Sequence, residues 1–155
     1  TAITTGVVMV LVMTAAALGW CISISRVPQT LTPLILELIQ SPLVFLLLVN
    51  FLLLLLGTFM DLAPMLLICT PIFMPVIAKF GIDPVHFGMI MILNLGIGLI
   101  TPPVGPTLFV GCAIGKVTME QVSKELWPFY GAMCLALLLV TYIPAISLWL
   151  PGLTK

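Results

Sequence analysis

Residues 101–106 read Thr-Pro-Pro-Val-Gly-Pro, and they interrupt a stretch from Phe87 to Gly115 that contains no charged residue. As one helix that stretch would be about 43 Å long, more than the ~30 Å hydrocarbon core of a bilayer. Proline has no amide hydrogen, and it drives the residue before it away from helical geometry. With proline at 102, 103 and 106, the helix has to break into two halves. In lipid, backbone freed by a break is tolerated only where protein or a water-filled cavity surrounds it. The run therefore demands a sheltered, polar place near the middle of the segment.

Composition decides which solvent applies. Hydrophobic residues make up 62% of the 155 and charged residues only 6%, and the mean hydropathy is +1.35. A soluble domain carries roughly a quarter charged residues. The long unbroken apolar runs indicate helices, since barrel strands alternate polar and apolar positions. The predicted class is an all-α polytopic membrane protein. Zero net charge gives nucleic acid no footing, so lipid is the expected surrounding. Cys21, Cys69, Cys112 and Cys134 stand singly in apolar segments, without metal-ligand spacing, and read as inert thiols. The chain starts at Thr1 with no charged n-region or cleavage site before its first apolar run, so that run is expected to be no signal peptide.

The predicted elements follow in order. A spanning helix covers 6–25, with Arg26, Pro28 and Gln29 at its exit. A short amphipathic helix lies in the interface over 31–40, with Leu31, Leu34, Ile35, Leu38 and Ile39 on one face. Ser41-Pro42 and Asp83-Pro84 each read as a helix cap followed by proline at the first helical position. Between Leu43 and Ala78 the only formally charged acid is Asp61, inside the polar bend Gly57–Pro64. Two readings compete: one spanning helix to Met60 followed by a poor second one, or a re-entrant hairpin over 43–78 with its bend deep in the bilayer. The shortness of each arm favours the hairpin.

Gly81 is placed to close the second arm. His86 ends a polar loop from Lys79 and reads as an interfacial residue. The broken helix spans 87–115. Thr118 with Gln121 fits a capping box for a surface helix over 118–127. A last spanning helix covers 129–150, edged by Trp127, Tyr130, Tyr142 and Trp149 and kinked at Pro144. Arg26, Lys79 and Lys155 on one side against Lys116 and Lys124 on the other do not orient the chain.

The two breaks carry the candidate chemistry. In secondary transporters, unwound carbonyls and half-helix C-termini hold Na⁺, and half-helix N-termini face anionic groups. The Na⁺-binding candidates are Gly57, Thr58, Asp61, Asn94, Gly96, Gly98 and Thr101. The substrate-facing candidates are Thr101, Pro103, Gly105 and Thr107. Each has a structural alternative: simple kinks for the prolines, an interfacial place for Asp61, a helix–helix hydrogen bond for Asn94. With no nucleophile–base pair, paired intramembrane carboxylates or phosphate loop, an enzyme is not expected. No metal other than Na⁺ and no organic cofactor is implied.

"GTFMDLAPMLLICTPIFMPV", then "GIDPVHFGMIMILNLGIGLITPPVG" and the ending "IPAISLWLPG" resemble the C-terminal part of the large membrane subunit of tripartite ATP-independent periplasmic (TRAP) transporters. The resemblance covers essentially the whole chain. It implies the second half of an inverted repeat: a hairpin entering from the periplasm, an interrupted helix, and flanking spanning helices in a bacterial inner membrane. It implies Na⁺ symport by an elevator motion, with small organic acids (C4-dicarboxylates, sialic acid, other sugar or keto acids) as substrates. The implied partners are a periplasmic substrate-binding protein, a small four-helix membrane subunit and the missing N-terminal half of the large subunit. The hairpin-plus-break pattern occurs only once here, so the chain is expected to be a fragment, a truncated product or one part of a split subunit. An ion channel or a non-transporting assembly subunit built on the same re-entrant elements remains as an alternative.

Overall fold

A computed structural model describes residues 2–25, 27–39, 41–102 and 104–153 of the chain. Pro103, a predicted substrate-facing residue, lies outside the described residues, as do Arg26, Gln40 and Lys155. Among the described residues all regular structure is helical: α1 (Ala2–Ile24), α2 (Val27–Leu38), α3 (Pro42–Gly57), α4 (Leu62–Phe80), α5 (Pro84–Ile100), α6 (Pro106–Gly115), α7 (Met119–Tyr142) and α8 (Pro144–Leu153). Of these, α4 and α7 are each long and apolar enough to cross a membrane, while α3, α5 and α6 are shorter apolar helices.

Local chemistry sets most helix ends. Asp83 caps α5 by accepting hydrogen bonds from the amides of Val85 (2.8 Å) and His86 (3.4 Å), with Pro84 opening the helix. Asp61 caps α4 through the Leu62 amide at 2.8 Å. Ser41 precedes α3 as expected, but its side chain makes no capping bond. Gly81 takes a left-handed φ of 69° and closes α4, and the Ile82 amide reaches back to the Ile77 carbonyl at 3.0 Å. The Thr118–Gln121 capping box forms at the start of α7.

The helices α3 and α4 run antiparallel on either side of residues 58–61. Phe45, in the first turn of α3, stacks on Phe80, the last residue of α4, with ring centroids 5.0 Å apart. The chain thus returns to where α3 began. Between these ends α5 packs against both arms, and the core is built from Val49 and Leu53 of α3, Phe73 and Val76 of α4, Ile90 and Leu95 of α5, and Leu137 of α7. In lipid, helices gain little from apolar transfer, so close packing and polar links must hold them. Gly19 shows the first kind. Pro71 leaves the Leu67 carbonyl without its helical donor, and α1 closes on it so tightly that a Cβ on Gly19 would lie 2.8 Å from that oxygen.

Several boundaries differ from the sequence reading. The helix predicted over 31–40 starts earlier, at Val27, and turns Thr32 inward while Leu38 is exposed. Thr32 donates to the Pro28 carbonyl at 2.6 Å, which lets a hydroxyl sit inside. The division expected near Pro128 is absent: α7 runs through it, and the break falls at Ile143 instead. Pro128 takes a donor only from the carbonyl of exposed Lys124, whereas Ile143, before Pro144, leaves the helical region at φ −116° and ψ 86°. His86 is no loop residue. It lies in the first turn of α5, buried, with Nε2 3.3 Å from the Thr141 carbonyl and Nδ1 3.2 Å from the Ser147 hydroxyl. A carbonyl can only accept, so Nε2 carries the proton, and the imidazole joins α7 to α8 across their break.

Candidate functional site at the paired helix breaks

Prolines 102 and 103 deny the Gly98 and Leu99 carbonyls their helical donors, and α5 accordingly ends at Ile100. Thr101, placed before a proline, is extended at φ −97° and ψ 132°. Its amide turns back to the Gly98 carbonyl at 3.0 Å, and its hydroxyl donates to the Ile97 carbonyl at 2.6 Å. The Tyr130 hydroxyl of α7 donates to the Ile100 carbonyl at 2.7 Å. Among the described residues nothing donates to the carbonyls of Leu99 and Thr101. Both face the α-carbon of Gly105: a Cβ there would lie 3.1 Å from the first and 3.0 Å from the second. Gly105 itself holds φ 43°, a region that other residues enter only under strain.

The bend between α3 and α4 is fastened onto this break. The Thr58 carbonyl accepts the Gly105 amide at 3.1 Å. Gly57 and Gly98 meet backbone to backbone, and a Cβ on Gly98 would lie 2.6 Å from the Gly57 carbonyl carbon. Gly57, Thr58, Gly98 and Gly105 are all buried. The Thr58 hydroxyl turns away from the break, to the Leu55 carbonyl at 2.7 Å.

The structure thus brings together five of the predicted residues: Gly57, Thr58, Gly98, Thr101 and Gly105. It does not bring in four others. Asn94 is fully buried two turns before the break, where its amide donates to Asn50, which in turn donates to the Thr141 hydroxyl at 2.9 Å. Asp61 is exposed beside α1, lining a cavity of about 370 Å³ with Leu11, Thr14, Leu18 and Phe59, and makes no hydrogen bond to the α5–α6 break. Gly96 is half-buried with open space where a Cβ would sit. Thr107 is exposed in the first turn of α6, where its amide and that of Leu108 have no carbonyl within the helix to bind. The Gly105 amide, expected to face substrate, is instead committed to Thr58.

Sequence reasoning missed Tyr130 as a partner of the break, Asn50 as the partner of Asn94, and Thr141 as the partner of Asn50. Tyr130 looked like an interfacial aromatic, and partners 44 and 91 residues apart leave no local signal.

The family model of the tripartite ATP-independent periplasmic transporter DctM component matches residues 1–146. The chain belongs to that family. Its similar proteins are TRAP permeases rather than enzymes. The chain is 42% identical over 149 residues to the isethionate TRAP transporter permease protein DctMQ of Oleidesulfovibrio alaskensis, covering 96% of this chain and 24% of that protein. It is 41% identical over 145 residues to the C4-dicarboxylate TRAP transporter large permease protein DctM of Vibrio cholerae, covering 94% and 32%. It is 41% identical over 150 residues to the sialic acid TRAP transporter large permease protein SiaM of the same species, covering 97% and 35%. The chain therefore spans about a third or less of these TRAP permeases, and the paired breaks lie within the matched region.

Proposed function

We propose that this chain is part of a Na⁺-coupled TRAP permease of the bacterial inner membrane, importing small organic acids by symport. The observation that carries the reading is the pair of carbonyls, Leu99 and Thr101, left without donors among the described residues and both lying beside Gly105. Carbonyls left without a donor are costly wherever water is kept from them, and a hard cation satisfies them. The Thr101 hydroxyl, whose lone pairs stay free when it donates to Ile97, is a third oxygen at the same end of α5. The partial negative charge of a helix C-terminus adds to the attraction. Asp61 joins as a charge beside the bend, and Thr107 with the first α6 amides as the face for a carboxylate.

Three oxygens do not complete a Na⁺ shell. The remaining walls come from the other two-thirds of the permease, with the re-entrant hairpin and broken helix forming one unit of an inverted repeat. The Gly57–Gly98 contact and the Thr58–Gly105 bond couple the hairpin bend to the broken helix, so they can travel as one body in an elevator motion. A periplasmic binding protein and a small membrane subunit complete the assembly. The channel and assembly-subunit readings find no support among the permeases that the chain resembles.

The test is uptake of labelled succinate, sialic acid and isethionate by the complete permease in proteoliposomes, with its binding protein, under an imposed Na⁺ gradient. Uptake of one acid that collapses when choline replaces Na⁺, and whose Na⁺ dependence shifts in Thr101→Val, is the expected result. Conductance that needs no binding protein, or uptake indifferent to Na⁺, would contradict it.

A further inference from the structure

Between the two unpartnered carbonyls lies a third that is not free. The Ile100 carbonyl would be bound in a continuous helix by the Val104 amide, which the break carries away. Its donor is instead the Tyr130 hydroxyl, 2.7 Å away, on α7. Peptide groups are planar, so fixing the Ile100 carbonyl fixes the whole peptide unit joining Ile100 to Thr101. The Leu99 and Thr101 carbonyls belong to the units immediately before and after it. Without the phenol, the unit joining Ile100 to Thr101 would be held by the Thr101 amide alone.

Among the described residues no other donor is bonded to the Ile100 carbonyl. A cavity of about 360 Å³ adjoins the contact, lined by Leu54, Ile97, Thr101, Trp127, Tyr130 and Cys134 together with Pro102 and Ser123. The Thr101 hydroxyl is already committed to Ile97. Most of the surface lining that cavity is apolar, which strengthens a single hydrogen bond and penalises its loss.

We infer that Tyr130 is a positioning residue for the coupling cation: through the Ile100 carbonyl it holds the peptide unit that lies between the Leu99 and Thr101 carbonyls, and so sets how those two oxygens are presented. The inference rests on the Na⁺ reading above. Tyr130 does not touch the cation. It sets how well the oxygens are arranged before the cation arrives, and so acts on Na⁺ affinity rather than on substrate recognition.

The experiment is a Na⁺ titration of the complete permease in detergent, with choline chloride holding ionic strength constant, read as the rise in unfolding midpoint, which follows the ratio of Na⁺ to its dissociation constant. Tyr130→Phe keeps the ring and removes only the donor. Its half-saturating Na⁺ concentration should rise about fivefold, the worth of one hydrogen bond. The midpoint in Na⁺-free buffer should fall as well, as expected for one lost hydrogen bond. Half-saturation does not depend on how much protein accumulates, so a poorly expressed variant still reports. An unchanged half-saturating concentration overturns the inference, as does a lower Na⁺-free midpoint with no change in Na⁺ response, which would mark simple packing. Thr101→Val in parallel separates the two ideas. A shift there but not in Tyr130→Phe removes Tyr130 alone, and no shift in either removes the cation site itself.

Discussion

The Thr58 carbonyl and the Gly105 amide, 47 residues apart, are joined by a hydrogen bond of 3.1 Å. Each belongs to a break in a helix, and each break would otherwise leave that group unpaired. The two interruptions therefore satisfy one another, which is how a membrane chain can carry both. The same contact leaves the neighbouring Leu99 and Thr101 carbonyls over, and it draws Gly57 onto Gly98.

The Gly57–Gly98 contact makes the first prediction. A methyl group on Gly98 would meet backbone rather than a movable side chain, at 2.6 Å and 2.7 Å from two atoms of Gly57. Gly98→Ala should cost about 1–3 kcal/mol of stability and separate the bend from the broken helix. Gly96→Ala, on the same helix with nothing within 4 Å, is the matched comparison, and better helix propensity should leave it neutral or up to about 1 kcal/mol more stable. Unfolding midpoints of the two variants decide the matter, and equal losses would contradict the close approach.

Gly105 fails differently. Its φ of 43° costs other residues about 1–2 kcal/mol, and a Cβ would also press on the Leu99 and Thr101 carbonyls. Gly105→Ala should therefore lower stability and weaken the Na⁺ response together, since the methyl group would displace both carbonyls. Stabilisation by Na⁺ that persists in Gly105→Ala would show that the cation sits elsewhere.

What was legible in the sequence was what local chemistry encodes. Pro102 and Pro103 announce the break because they lack amides, Gly81 announces a left-handed stop, and Asp83 and Thr118 announce caps. The order of bend and broken helix could be read for the same reason. The packing face of α3 could not: its residues are apolar nearly all round, so periodicity picks no side, and only contact with α5 selects Val49, Leu53 and Gly57. Pro128 and Pro144 look alike in sequence, yet only the second ends a helix, where the His86 ring takes the Thr141 carbonyl. Within the site, side chains such as Asp61 and Asn94 drew attention, while the donor-free groups are backbone carbonyls, which every residue has.

Asn94 tests whether a buried polar residue in a transporter must serve the ion. Its amide is held by Asn50, its own side-chain oxygen has no partner, and it sits about 10 Å along α5 from Thr101. Asn50→Leu strands the Asn94 amide and should cost about 1–3 kcal/mol. Asn50→Leu with Asn94→Leu removes both partners and should cost less than the sum of the single changes. Na⁺ half-saturation should be unchanged throughout, as measured by the same titration. A change of tenfold or more in Asn94→Leu would return Asn94 to the cation site.

Asp61 combines two roles that one substitution can divide. Its carboxylate caps α4 through the Leu62 amide at 2.8 Å, a contact that any side-chain oxygen can make. Its charge, in contrast, is not used by any ion pair among the described residues, where the only such pair is Lys124 with Glu120 at 3.0 Å. On the proposed reading the bend lies within the membrane, where an unpaired carboxylate is costly and points to a binding role. Asp61→Asn keeps the capping oxygen and removes the charge, so the unfolding midpoint should correspond to a change within about 0.5 kcal/mol. Na⁺-driven uptake should nevertheless fall by about tenfold or more, because one full charge contributes more to cation binding than a neutral carbonyl does. Asp61→Ala removes both and should lose about 1 kcal/mol of stability as well. If Asp61→Asn transports normally while Asp61→Ala is merely less stable, the residue is a helix cap and the cation is held by backbone alone.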